Sequence, residues 1–309
     1  MLHGFTQTGG CLGPLADELA RSHSVVSPDL PGHGDATALA GLDLWETASH
    51  LAGAIGPTLD GPAVWLGYSM GARVALHVAL SHPELVSGLI LIGGTAGIDD
   101  TTTGTEHGEA DEQDQNSQND EAGQSDEADQ NDEADQSGEA ARAERRASDA
   151  ALAERLELIG VEAFLEEWLA LPLFDGLPDW ARFVQERRRN TAAGLAGSLR
   201  HAGTGSMDPL WDRLDQIRVP TMCIAGERDA KFAALAERMS VALLHGTAVT
   251  IAGAGHAAHL EDAGAVAELV VTFCGQVAPQ HATRRNDAPG IRWYETSSTR
   301  RPPAGSANG

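Results

Sequence analysis

Gly67-Tyr68-Ser69-Met70-Gly71 sits between an apolar run, Ala63-Val64-Trp65-Leu66, and a stretch of helical character that runs from Gly71 to about Ser81 and is stopped by Pro83. The run is short enough for a strand buried on both faces, and the proline marks the end of the helix. A serine at such a strand-to-helix turn is lifted above the sheet edge, and only small residues fit two positions before and after it. The helix aims its N-terminus at the same place, where backbone N–H groups favour developing negative charge. The five letters alone are weak, because glycine and serine are common. The strand before and the helix after make Ser69 a candidate nucleophile.

On either side the same alternation continues. Residues 24–30 read as a short buried strand ending in the turn Pro31-Gly32-His33-Gly34, and residues 44–59 carry Leu44, Ala48, Leu51, Ala52 and Ile55 on one helical face. Residues 86–92, 220–225 and 248–252 are further runs of strand length, with helical stretches over 232–244 and from Val266 to Cys274. Strands alternating with helices at this spacing predict a mostly parallel sheet with crossover helices. A nucleophilic serine needs a base, and the base needs an orienting carboxylate. Asp229, in Gly226-Glu227-Arg228-Asp229, and His256, in Gly253-Ala254-Gly255-His256, each follow an apolar strand. Both therefore lie beyond the carboxyl ends of parallel strands, where sites form in such sheets. The plain alternatives are a helix N-cap for Asp229 and a polar turn residue for His256. The chain order Ser, Asp, His is that of the α/β-hydrolase fold, with a Ser69–Asp229–His256 triad and an oxyanion hole made by the backbone N–H groups of Met70 and Phe5. His3 is read as a brace for the His3-Gly4-Phe5 turn, Asp29 and His33 as loop-fixing hydrogen bonders, and His259 as structural.

The formal net charge of −24 over 309 residues is uneven. Residues 99–140 hold sixteen Asp and Glu and no Lys or Arg, leaving 29 acidic residues against 21 Lys and Arg elsewhere. That tract buries too little apolar surface to offset its conformational entropy, so it is predicted to be disordered. Residues 141–205 are rich in Arg, Leu and Ala and read as a helical cap. The core is then 1–98 with 206–279, and residues 280–309 read as a disordered tail. No clustered basic face points to a nucleic-acid partner. No apolar stretch approaches the roughly 18 residues of a membrane helix, and no signal-peptide pattern opens the sequence. Cys11, Cys223 and Cys274 lack metal-ligand spacing and read as reduced thiols of a cytoplasmic protein. One feature is out of pattern. In this fold a central strand feeds into the His3-Gly4 turn, yet only Met1 and Leu2 precede it, so an N-terminal strand is expected to be missing and to be encoded upstream.

Leu2-His3-Gly4-Phe5, residues 28–34, Gly67-Tyr68-Ser69-Met70-Gly71-Ala72-Arg73, Gly203-Thr204-Gly205, residues 223–232 and residues 252–261 together resemble the 2-succinyl-6-hydroxy-2,4-cyclohexadiene-1-carboxylate synthases. The resemblance spans residues 1–98 and 141–275. Arg73, four residues after the serine, and the Gly-Glu-Arg-Asp-x-Lys-Phe string at 226–232 are its most specific parts. It departs from the family at Ala72, where glycine is common. The resemblance implies a lyase of menaquinone biosynthesis that eliminates pyruvate from a substrate with three carboxylates, with no metal and no organic cofactor. It also implies a substrate set of Arg73, Arg145 and Arg187, with Arg188 or Arg189 as substitutes for Arg187, and Tyr68 and Trp168 in the pocket. Guanidinium groups suit such a polycarboxylate because each can grip a carboxylate by two hydrogen bonds. Two other readings use the same residues. One is a hydrolase of esters or carbon–carbon bonds, and the other is a binding protein on a hydrolase fold. Oligomeric state is not legible here.

Overall fold

The computed structural model describes residues 1–99, 127–277 and 291–294. Helix α1 (Gly13–Leu19) leads to strand β1 (Val25–Pro28), α2 (Leu44–Ile55) to β2 (Ala63–Tyr68), and α3 (Met70–Ser81) to β3 (Val86–Ile92). A long α4 (Glu127–Leu169) is followed by α5 (Val184–Arg187) and α6 (Ala192–Ala202). Then come β4 (Thr221–Gly226), α7 (Ala230–Ala242), β5 (Gly246–Ile251), α8 (Ala258–Glu261), α9 (Ala263–Val277) and β6 (Ile291–Tyr294). Strands β2, β3, β4 and β5 lie side by side in that order, all parallel. Parallel neighbours need crossovers, and α3 and α7 supply two of them. Alternation along the strands splits the core into two layers. Leu89, Leu91, Cys223 and Ala225 face α2, α3 and α7, while Ile90, Ile92, Met222 and Ile224 face α1 and α9.

Between β1 and β2 the chain places Met1 and Leu2. The Leu2 N–H donates to Leu66 O at 2.7 Å, its carbonyl accepts from Tyr68 N at 3.0 Å, and the Met1 amine donates to Val26 O at 2.6 Å. A single parallel bridge, Leu2 with Gly67, stands where a central strand was expected.

Two expectations about the irregular segments need correction. The tail is not structureless throughout, because Ile291–Tyr294 pairs antiparallel with β1, Val25 opposite Tyr294 and Pro28 opposite Ile291. Ile-Arg-Trp-Tyr is rich in strand-forming residues, and the edge of β1 offers unpaired backbone groups to it. Residues 278–290 and 295–309 lie outside the described residues. Of the acidic tract, residues 100–126 also lie outside them, but 127–140 form the first turns of α4. Alanine and glutamate recur there, and both are strong helix formers. Helix α4 is interrupted at Gly160, where φ is +79°. Within 141–205, Ala153, Leu156 and Phe164 of α4 pack on Leu195, Ala196 and Leu199 of α6, and turns and short helical pieces fill most of residues 170–191.

Candidate active site

Ser69 has φ +51° and ψ −112°, a backbone shape that non-glycine residues rarely adopt. Such strain costs on the order of 1–3 kcal/mol and persists only where its surroundings hold it. The holding contacts are local. The Ser69 N–H donates to Ile92 O at 2.8 Å, tying the turn to the end of β3. A Cβ on Gly67 would collide with the Gly71 carbonyl, and one on Gly71 with the carbonyls of Leu2 and His3. Both glycines are therefore required by the close approach of backbone.

Asp229 follows β4 and His256 follows β5. His256 Nδ1 lies 2.7 Å from Asp229 Oδ2, and the two side chains are only 2% and 9% exposed. A carboxylate accepts, so Nδ1 carries the proton and Nε2 is left as the acceptor. Asp229 Oδ1 also accepts from Phe232 N at 3.3 Å, capping α7. The imidazole is held between Phe232 at 4.4 Å and Tyr68 at 5.4 Å, centroid to centroid.

A cavity of about 350 Å³ opens above the sheet, and Phe5, Tyr68, Ser69, Met70, Arg73, Arg145, Trp168, Arg187 and His256 all line it. Asp229 stands behind His256 and does not. Met70 is the first residue of α3, so its N–H has no acceptor within the helix. Phe5 is carried by a turn closed from both sides, with Gly4 N donating to Gln7 Oε1 at 3.0 Å and Gln7 N to Gly4 O at 3.2 Å. His3 does brace this turn. Its Nε2 accepts from Leu30 N at 2.9 Å, so Nδ1 donates to Gly4 O at 2.8 Å, and burial pushes its pKa down to about 3. Asp29 accepts from the N–H groups of Gly9 and Asp35, which fixes its loop. His259 is fully buried against Tyr68.

Each arginine is held differently. Arg73 donates to Ala202 O at 2.6 Å, and Arg145 pairs with Asp149 at 2.9 Å. Arg187 is 1% exposed, donates through Nε to Arg182 O at 2.8 Å and through Nη1 to Thr6 Oγ1, and meets no carboxylate among the described residues. Burial lowers its pKa from the usual guanidinium range. Arg188 pairs instead with Glu162, and Arg189 with Asp35 at 2.7 Å, so Arg187 is the cavity member of its run. Trp168 stacks on Phe164, and its indole N–H has no partner among the described residues. Sequence reasoning missed Gln7, Thr95, Asp149 and Phe232, which also line the cavity. Asp149 had a readable signal, lying four residues after Arg145 and so one helical turn away.

The family profile described as alpha/beta hydrolase fold matches residues 1–263. A Bacillus subtilis (strain 168) protein provisionally assigned as 2-succinyl-6-hydroxy-2,4-cyclohexadiene-1-carboxylate synthase is 30% identical over 280 residues, covering 88% of each chain. The synthase of that name from Photorhabdus laumondii is 29% identical, covering 88% of this chain and 83% of its own. Among solved structures, MenH from S. aureus superposes with a TM-score of 0.72 at 29% identity, covering 89% of this chain and 92% of that one. A malate-bound esterase from Thermogutta terrifontis reaches a TM-score of 0.68 at 22% identity, covering 89% and 88% of the two chains, a likeness of fold alone.

Proposed function

The chain belongs to the α/β-hydrolase fold family and, within it, to the 2-succinyl-6-hydroxy-2,4-cyclohexadiene-1-carboxylate synthases, and from that premise we propose that its cavity eliminates pyruvate from 2-succinyl-5-enolpyruvyl-6-hydroxy-3-cyclohexene-1-carboxylate. The observation that carries this reading is Arg187, a buried cation lining the cavity with no carboxylate of the described chain beside it. A buried charge without a counter-charge is costly, and a polycarboxylate substrate supplies one. Arg73 and Arg145 give two more guanidinium groups in the same space. A neutral ester would need none of them.

In the reaction, Ser69, with His256 Nε2 as its base, removes the proton α to the succinyl ketone and passes its own to the imidazole. Asp229 keeps Nδ1 protonated and stabilises the imidazolium. The electron pair of the broken C–H bond passes to the ketone oxygen, which the N–H groups of Met70 and Phe5 receive. Its return forms the new ring double bond, displaces the existing one and breaks the C–O bond to the enolpyruvyl group. The departing enolate takes up a proton to become pyruvate. The test is release of pyruvate from that substrate by the purified protein, compared with hydrolysis of 4-nitrophenyl acetate. Pyruvate release is the expected result, and ester hydrolysis without it would overturn the assignment.

A further inference from the structure

We infer that Gln7 is a specificity-determining residue whose carboxamide NH2 binds a carboxylate in the cavity alongside Arg187; the inference rests on the lyase reading. Gln7 is 1% exposed yet lines the cavity. Its orientation follows from chemistry, because the Gly4 N–H at 3.0 Å can only donate and so the atom facing it is Oε1. The NH2 group is thereby turned away from the Gly4 amide, and no described residue accepts from it. A donor at the cavity wall is open to a ligand oxygen in place of water.

Arg187 lines the same cavity and has donors to spare. Arg187 spends Nε on Arg182 O and one Nη1 hydrogen on Thr6 Oγ1, the residue next to Gln7 in the chain. A carboxylate has about four lone-pair sites, more than the remaining edge of one guanidinium fills. The Gln7 amide adds a donor without adding a second buried positive charge. Gly4 keeps the arrangement compact, since a side chain there would run into the Tyr68 ring.

The experiment must separate this role from bracing of the turn. Gln7→Glu keeps an oxygen for the Gly4 N–H but replaces the donor with a carboxylate, so a bracing role survives the change and a carboxylate-binding role does not. In steady-state pyruvate release, Gln7→Glu is expected to raise KM roughly tenfold or more while kcat stays within about threefold. Gln7→Met, neutral and of similar length, serves as the second variant if the new carboxylate prevents folding; it also removes the acceptor of the Gly4 N–H, so its raised KM is expected with kcat, which depends on the Phe5 turn, still within about threefold. A wild-type KM in either folded variant overturns the inference. If the wild type itself releases no pyruvate, the lyase reading fails, and the role of Gln7 is read instead from calorimetric binding of propane-1,2,3-tricarboxylate. Weaker binding by the variant supports it, and equal binding, or none by either protein, overturns it.

Discussion

Asp229 divides one carboxylate between His256 and the first turn of α7, with Oδ2 2.7 Å from the imidazole Nδ1 and Oδ1 3.3 Å from the Phe232 N–H. The two duties respond differently to an amide. In Asp229→Asn the side-chain oxygen can still cap the helix, because Asn caps about as well as Asp. Its NH2 then faces Nδ1 and selects the tautomer that leaves Nε2 protonated. Stability should stay within about 1 kcal/mol of wild type, while kcat for pyruvate release falls by roughly 10³–10⁴. Urea unfolding and steady-state kinetics on the same preparation check both halves. A variant that turns over normally would leave Asp229 as a cap and nothing more.

Arg187 should trade stability against function. It is a buried charge with no carboxylate partner among the described residues, and its pKa is lowered by burial. Arg187→Met keeps much of the length and removes the charge. Replacing buried charged groups by apolar ones of similar volume is often neutral or stabilising, so the melting temperature should hold or rise. The KM for the carboxylate substrate should climb by an amount equivalent to about 2–5 kcal/mol. Loss of folding with no change in KM would make Arg187 a structural residue.

Which parts of this were legible in the chain follows from how local their causes are. The Ser69 turn could be read because its requirement for Gly67 and Gly71 comes largely from backbone a few residues away. Asp229 and His256 could be read because each directly follows a strand. Strand β6 could not, since Ile291–Tyr294 becomes a strand only against the edge of β1, far away in the chain. Nor could Arg187 be separated from Arg188 and Arg189 by pattern. One of its contacts is Thr6, 181 residues away in the chain, and the turn into α5 is set by Phe183 at φ +49°. The first turns of α4 were hidden by charge, which dominates composition and says little about helix propensity.

Ser69→Ala removes the hydroxyl and leaves the backbone contacts of the turn unchanged. Turnover should fall by a factor on the order of 10³ or more, with the unfolding midpoint unchanged. Gly71→Ala should act on the fold as well. The added methyl meets the Leu2 and His3 carbonyls, so the turn must open and both stability and activity should drop. A stable, active Gly71→Ala variant would contradict the close backbone approach.

Acid should unfold this protein through its buried histidines. Burial lowers His3, His33 and His259 to about 3 and His77 to about 4, against an ordinary value of 6.5. Below pH 6.5 the unfolded chain therefore takes up protons that the folded chain refuses. The stability they contribute is fully present above that pH and is lost as pH falls toward the folded values, by about 1.4 kcal/mol per pH unit for each such proton. Urea midpoints should thus decline between pH 7 and pH 5. His259 gives the sharpest version, because neither ring nitrogen has a hydrogen-bond partner among the described residues and the ring lies 4.2 Å from that of Tyr68. His259→Leu removes two unsatisfied polar atoms and one acid-labile group. Its stability at pH 7 should be equal to wild type or higher by about 1 kcal/mol, and its loss on acidification should be shallower by up to one proton. A variant that is weaker at pH 7 and keeps the wild-type slope would show that His259 is stabilised by a partner and does not titrate on unfolding as argued.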